Sequence, residues 1–77
     1  MNIAPTASRF VLCLSNDGYA ASLEPRKIYE VLPDREAEGM DFLRVIDESG
    51  EGYLYPRSLF GEVQITEEVS DAVRRAS

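Results

Sequence analysis

Residues 42–65, FLRVIDESGEGYLYPRSLFGEVQI, decide the fold of this chain. Phe42 to Asp47 opens the stretch with large apolar and β-branched residues, which favour a β-strand. The acidic, glycine-rich residues 48–52 are typical of a tight turn, and Tyr53 to Tyr55 follow it directly. The sequence therefore predicts an antiparallel hairpin in which these two strands pair.

Pro56 ends the second strand of this hairpin, because proline cannot donate a main-chain hydrogen bond to a ladder. Arg57 to Phe60 is predicted to form one helical turn. Glu62 to Ile65 then alternates polar and apolar residues, which predicts a last short strand with Val63 and Ile65 facing inward.

The residues before this stretch supply the other strands. Arg9 to Leu14 is almost continuously apolar, so we expect a buried strand. Residues 15–18, Ser-Asn-Asp-Gly, favour a reversal, and we expect a first hairpin that returns through Tyr19 to Leu23. Lys27 to Leu32, KIYEVL, predicts another strand, whose inward-facing residues the sequence leaves open. Pro33 to Gly39 combines acidic residues with a terminal glycine, which indicates a short helical turn.

Both ends of the chain differ from this pattern. Residues 1–8 are small and polar without a period, and we expect a flexible arm there. Residues 66–77 predict a short C-terminal helix, since Thr66 is a good N-cap and charged residues lie at the helix ends that favour them. A chain of 77 residues has room for one domain, which we place at residues 9–65.

The composition argues against several classes of function. The chain has 8 basic and 14 acidic residues and a net charge of -6, so it lacks the clustered cations that nucleic acids or anionic membranes require. It has no histidine, which removes the commonest general base and zinc ligand. No apolar run is long enough for a membrane helix. We therefore expect a cytoplasmic protein without enzymatic activity, cofactor or metal, and without nucleic-acid or membrane contacts.

Two features suggest chemistry but have simpler explanations. Asp47, Glu48 and Glu51 surround two glycines, yet their spacing does not match a calcium-binding loop, and a solvated turn accounts for them. Cys13 is the single cysteine and cannot form an internal disulfide. A cysteine within an apolar strand is typically a packing residue rather than a reactive thiol.

The order of these elements resembles a Src-homology-3 (SH3) barrel over residues 9–65. FVLCL, residues 10–14, is similar to the first strand of that family, and FLRV, residues 42–45, to the strand that opens with tryptophans. GYLYPRSLF, residues 52–60, resembles the family signature of glycine, aromatic, apolar residue and proline. IDESGEGYLYP, residues 46–56, also resembles small uncharacterised bacterial proteins. The resemblance implies an all-β fold, a small five-stranded SH3-like barrel with a short C-terminal helix.

The chain departs from this family where SH3 domains bind proline-rich ligands. Ser15 and Asp17 stand where the resemblance would place aromatic residues. Leu59 stands three residues after Pro56, where the family signature has a tyrosine. Phe42 aligns with the ligand-packing tryptophan and Pro56 with the signature proline. Only part of an aromatic groove remains, so we do not expect polyproline recognition.

Tyr53 and Tyr55 are the most informative side chains, because residues two apart on a strand share one face. If Leu54 is part of the core, both rings point outward and form a contact patch. The alternative is that one or both rings cover the open end of a small barrel. The SH3-like register predicts a core of Val11, Cys13, Leu23, Val31, Leu43, Val45, Leu54, Phe60 and Val63.

From these observations we expect a non-catalytic protein-interaction module that binds a protein partner or forms a homo-oligomer. The candidate protein-binding residues are Phe42, Tyr53, Tyr55, Pro56 and Leu59. The alternative is a regulatory or accessory subunit of a nucleic-acid-associated system without direct nucleic-acid contact.

Overall fold

The computed structural model describes residues 9–64 and 67–76 and places five antiparallel strands in one sheet. The arm predicted at residues 1–8, together with Ile65, Thr66 and Ser77, lies outside these described residues. The strands are β1 (Arg9–Cys13), β2 (Ile28–Leu32), β3 (Phe42–Ile46), β4 (Gly52–Pro56) and β5 (Phe60–Val63). The prediction of a mostly β chain is confirmed.

Short helical elements complete the described chain. α1 (Arg35–Glu38) is capped by Asp34, whose carboxylate accepts a hydrogen bond from the Ala37 N–H at 3.0 Å. A 3-10 turn (Arg57–Leu59) connects β4 to β5, and α2 (Glu67–Ala76) is the last described element. The helical turns predicted after Leu32 and after Pro56 are confirmed. In the part of the chain that the structure describes, no helix is long and apolar enough to cross a membrane.

The strand order in the sheet is β4–β3–β2–β1–β5, so the first and last strands are neighbours. β1 pairs with β2 in a register that places Val11 opposite Tyr29. It pairs with β5 in a register that places Cys13 opposite Phe60. β3 and β4 form the predicted hairpin. No pairing joins β4 to β5 among the described strands, so the pairing itself is that of an open sheet.

The prediction of a first hairpin is wrong. Residues 14–27 form no strand, and β1 pairs directly with β2. Tyr19 to Leu23 is instead a compact turn, in which the N–H groups of Ser22 and Leu23 both donate to the Tyr19 carbonyl at 3.0 Å. Gly18, at φ 85°, reverses the chain as expected. The apolar residues after it are used for packing, since Leu23 is buried in the core and Tyr19 packs against it.

A central cluster of buried side chains holds the sheet together. It consists of Val11, Cys13, Leu23, Tyr29, Val31, Leu43, Val45, Tyr55 and Phe60. The predicted core is wrong at Leu54, which is 42% exposed, and Val63 is only half-buried. Phe10 is also buried, and strand alternation places it on the face opposite Val11, so both faces of β1 are covered.

Candidate protein-binding surface

The structure separates the side chains that the sequence groups into one contact patch. Tyr53 is 51% exposed, whereas Tyr55, on the same face of β4, is only 4% exposed. Leu54, between them, points to the opposite face and is exposed. The hypothesis that Leu54 is buried and both rings point outward is therefore wrong, because the tyrosine face of β4 is the core face.

Tyr55 is buried because its polar tip has a partner inside the protein. Its hydroxyl donates a hydrogen bond to Oδ2 of the buried Asp47. Its ring packs edge-on against Tyr19, with centroids 5.0 Å apart, and against Phe60 at 6.3 Å. Burial, followed by the hydrogen bond to Asp47, raises the pKa of Tyr55. Tyr55 is thus a packing residue and contributes no exposed contact surface.

Asp47 is the polar centre of the β3–β4 hairpin. Its Oδ1 accepts hydrogen bonds from the Ser49 N–H at 2.9 Å and from the Ser49 hydroxyl at 2.6 Å. Burial alone would raise the pKa of Asp47, but the hydrogen bonds from Ser49 and Tyr55 outweigh it and hold that pKa below its ordinary value. The Asp47 carboxylate therefore stabilises the turn between β3 and β4. Among the described residues, no group of acidic or sulfur side chains is arranged to hold a metal ion.

A second polar cluster ties β2 to the same hairpin. Glu48 accepts a hydrogen bond from the Tyr29 hydroxyl at 2.6 Å, and Lys27 Nζ lies 2.7 Å from Glu48 Oε2. The Tyr29 hydroxyl in turn accepts a hydrogen bond from the Glu24 N–H at 2.8 Å. Hydrogen bonds from Lys27 and Tyr29 lower the pKa of Glu48. These contacts join neighbouring segments of the fold, so we assign this cluster a structural role.

Cys13 is fully buried, which agrees with the packing role expected from the sequence. Its thiol donates a hydrogen bond to the Ser15 carbonyl, with the Sγ and oxygen atoms 3.3 Å apart. Burial raises the pKa of the Cys13 thiol, which disfavours the reactive thiolate.

Exposed apolar side chains gather at the far end of the β3–β4 hairpin from Asp47. Phe42 lies opposite Pro56 in the sheet, and Met40, 64% exposed, precedes Phe42 by two residues. An open depression, which we call the Phe42 groove, is lined by Met40, Asp41, Phe42, Pro56, Arg57, Ser58 and Phe60. The groove therefore combines an apolar floor with one acidic and one basic side chain.

Local contacts fix the walls of the Phe42 groove. Asp41 has φ 64°, in the left-handed region that non-glycine residues seldom adopt, and this turn leads from α1 into β3. The Arg57 N–H donates to the Asp41 carbonyl at 2.9 Å, which continues the β3–β4 ladder one residue beyond β4. The Arg57 guanidinium donates to the Glu38 carbonyl at 3.2 Å, and its Nε lies 3.7 Å from Asp41 Oδ1. Asp41 nevertheless leaves 92% of its side chain exposed.

Leu59, the last of the predicted binding residues, packs against the central cluster. Its carbonyl accepts hydrogen bonds from the N–H groups of Leu14 at 2.8 Å and Ser15 at 3.3 Å. The structure thus brings Phe42 and Pro56 together, leaves Tyr53 exposed nearer the turn, and uses Tyr55 and Leu59 for packing.

Met40 and Leu54 are exposed apolar residues near the β3–β4 hairpin that the sequence-based site does not include. Met40 follows Gly39, the residue that ends α1, so it belongs to neither predicted element. A large apolar residue two positions before the predicted strand was the available signal. Leu54 lies opposite Arg44 on the outer face of the hairpin, and its exposure follows from the burial of Tyr55.

Comparison with models of protein families, with curated proteins and with solved structures found no match to this chain. Function must therefore be inferred from the geometry of the described residues.

Proposed function

We propose that this chain is a non-catalytic protein-interaction module, and that the Phe42 groove binds its partner. The observation that carries the proposal is the exposed Phe42, which shares one depression with the half-buried Pro56 and the exposed Met40. Exposed apolar surface rimmed by polar residues is typical of protein-binding sites. Asp41 and Arg57 supply that rim.

We further propose that the strands curve into an SH3-like barrel, followed by the short helix α2. β4 and β5 lie at opposite ends of the strand order, yet only the 3-10 turn at Arg57–Leu59 separates them along the chain. A flat sheet would place them too far apart for this connection, which supports strong curvature. The ring contact between Tyr55 of β4 and Phe60 of β5 supports the same conclusion.

The charges of the domain favour a basic partner. The net charge is -6, and the Asp41 carboxylate at the rim of the groove is largely exposed. Such charges mainly accelerate association with a partner of opposite sign, whereas the apolar floor supplies most of the affinity. A partner segment would therefore place an apolar side chain against Phe42 and Pro56, with a cation beside Asp41.

The test is capture of a partner from native lysate by the wild-type chain, followed by titration of the purified partner. Phe42→Ser should weaken its binding about tenfold or more, as expected for a central aromatic anchor. Leu14→Ser is the matched control, since Leu14 is also a large exposed apolar residue but lies outside the groove. Circular dichroism verifies that both variants are folded. Equal binding by Phe42→Ser and the wild type would contradict the proposal.

A further inference from the structure

We propose that β4 pairs with β4 of a second copy of this chain across a twofold axis, with Leu54 opposite Leu54 of the second copy. The inference goes beyond the proposed function, because it adds a contact between two copies of the chain to the binding of a basic partner in the Phe42 groove. It uses the free edge of β4, which meets the Phe42 groove at Pro56 and Arg57 but does not include Phe42 or Met40.

The hydrogen bonds along the β3–β4 ladder identify the groups that face this edge. The Asp47 N–H donates to the Glu51 carbonyl at 3.1 Å, and the Arg57 N–H donates to the Asp41 carbonyl at 2.9 Å. Both pairs continue the register of the two strands. Because hydrogen-bonded and non-hydrogen-bonded pairs alternate in an antiparallel ladder, every second residue of β4 directs its main-chain groups away from β3. These residues are Gly52, Leu54 and Pro56.

The outer edge of β4 carries little protection against pairing. Edge strands are usually protected by charged side chains, bulges or a covering segment. β4, GYLYP, has no charged side chain, whereas β5 at the other end of the sheet carries Glu62 in an ion pair with Arg9. No described strand pairs with the outer edge of β4. Pro56 lacks an N–H and so blocks donation only at the last residue of the strand.

The main-chain groups restrict the register of such pairing. Placing Leu54 opposite Pro56 of the second copy leaves the Leu54 carbonyl without a donor, because proline has no N–H. Placing Leu54 opposite Leu54 instead leaves the Gly52 carbonyl facing Pro56. That carbonyl already accepts a hydrogen bond from Arg44 Nη1 at 3.4 Å, so it does not need the missing donor. A third register, with Gly52 opposite Leu54, also satisfies the main chain.

The charges decide between the two registers that remain. With Leu54 opposite Leu54, Glu51 faces Arg57 of the second copy, and the contact occurs twice by symmetry. Glu51 accepts a hydrogen bond from Tyr53 at 3.1 Å but forms no ion pair within the described residues. Arg57 keeps donors for a second carboxylate, because a guanidinium has several N–H groups. With Gly52 opposite Leu54, Glu51 would face Tyr55 and gain no cation.

The favoured register also covers exposed apolar surface. The two Leu54 side chains meet on one face of the joined sheets, and Tyr53 lies beside Tyr55 of the second copy on the other face. The contact is small, and two molecules of net charge -6 repel each other at long range. We therefore expect a weak dimer, with a dissociation constant between about 10 μM and about 1 mM.

The test is sedimentation equilibrium of the full chain at concentrations up to about 1 mM. Glu51→Arg and Arg57→Glu should each weaken self-association about tenfold or more, because each replaces two attractive contacts with two repulsive ones. The double variant should recover the wild-type dissociation constant to within about threefold. If either residue acted only by stabilising the monomer, the second substitution would not restore the wild-type dissociation constant. Asp17→Arg is the control for the change of net charge in Glu51→Arg, since it also replaces an acidic residue with arginine but does so in an exposed loop away from β4.

Amide hydrogen exchange provides a second measurement. The N–H groups of Gly52 and Leu54 should become more protected as the protein concentration rises. A chain that is monomeric at about 1 mM overturns the inference, and so does a dimer that Glu51→Arg leaves unchanged. If the N–H groups of β4 become protected from exchange only when an extended peptide is added, the partner of this edge is another chain, and the inference of self-pairing is overturned. Failure here is separable from failure of the proposed function, because Phe42-dependent capture of a partner does not require Glu51.

Discussion

Replacing Tyr55 with phenylalanine removes one hydroxyl and keeps the ring, so it isolates the hydrogen bond to Asp47. The ring contacts with Tyr19 and Phe60 need not change. Asp47 is 6% exposed and loses one hydrogen-bond donor in the variant, while those from Ser49 remain. A hydrogen bond to a charged group contributes about 1.5 to 3 kcal/mol, so we expect the free energy of unfolding to fall by about 2 kcal/mol at neutral pH.

This loss should depend on pH. The hydrogen bonds from Ser49 and Tyr55 outweigh burial and hold the pKa of Asp47 below its ordinary value. The ionised carboxylate therefore stabilises the folded state above its unfolded pKa of about 3.9, and that contribution disappears as pH falls through the lower folded pKa. Tyr55→Phe raises the folded pKa toward the ordinary value. The difference in stability between wild type and variant should thus be largest at neutral pH and shrink below about pH 4.

Urea unfolding followed by circular dichroism, at neutral pH and at about pH 3, measures this difference. A thermal scan should show the melting temperature lowered by roughly 10 °C. Tyr53→Phe is the matched control, because it is the same chemical change on the same face of β4. Its hydroxyl bonds the exposed Glu51, so the urea midpoint should not change. If the two variants unfold at the same midpoint, the stabilising role of the hydrogen bond from Tyr55 to Asp47 is refuted.

Three further predictions concern the core, the Glu48 cluster and nucleic acids. Val45→Ala should lower the free energy of unfolding by about 1 to 3 kcal/mol, because the truncation leaves a cavity at a fully buried site. An unchanged urea midpoint would place Val45 outside the core. Glu48→Gln should destabilise the fold more at neutral pH than at about pH 3, since the hydrogen bonds from Lys27 and Tyr29 lower the pKa of Glu48 and favour its ionised form. Equal destabilisation at both pH values, measured by urea unfolding, would argue against this. Fluorescence anisotropy should detect no binding of single- or double-stranded oligonucleotides at about 150 mM salt, and saturable micromolar binding that weakens with salt would contradict that expectation.

The strands could be predicted because their signals are local. The apolar run from Phe42, the glycine-rich turn and Pro56 together define the β3–β4 hairpin without knowledge of the rest of the chain. The side of β4 that faces the core could not be predicted in this way. Leucine is more apolar than tyrosine, which favours Leu54 inside, but the buried Asp47 gives the Tyr55 hydroxyl a partner and reverses the choice.

Long-range contacts explain the remaining differences. Tyr19 to Leu23 has the composition of a returning strand, yet β2 occupies the edge of β1 with which it would pair. Tyr19 to Leu23 and β2 could each pair with this edge of β1, and only the folded structure shows that β2 does so. Only part of the Phe42 groove could be predicted, because its residues come from separate segments of the chain. The pairing of Phe42 with Pro56 follows from the hairpin, whereas the contribution of Met40 depends on the left-handed turn at Asp41.

The pairing of β1 with β5 has a mechanical consequence. Phe10 lies opposite Val63, so the beginning of β1 and the end of β5 are side by side. A tension applied through the flanking chain would load this end of the ladder along its hydrogen bonds, which run perpendicular to antiparallel strands. The bonds would then break one after another from the ion pair of Arg9 with Glu62 onward, and the sheet would unzip at low force. The same closeness of the two strand ends suits the domain for insertion into a surface loop of a host protein, because the loop would not need to be forced apart.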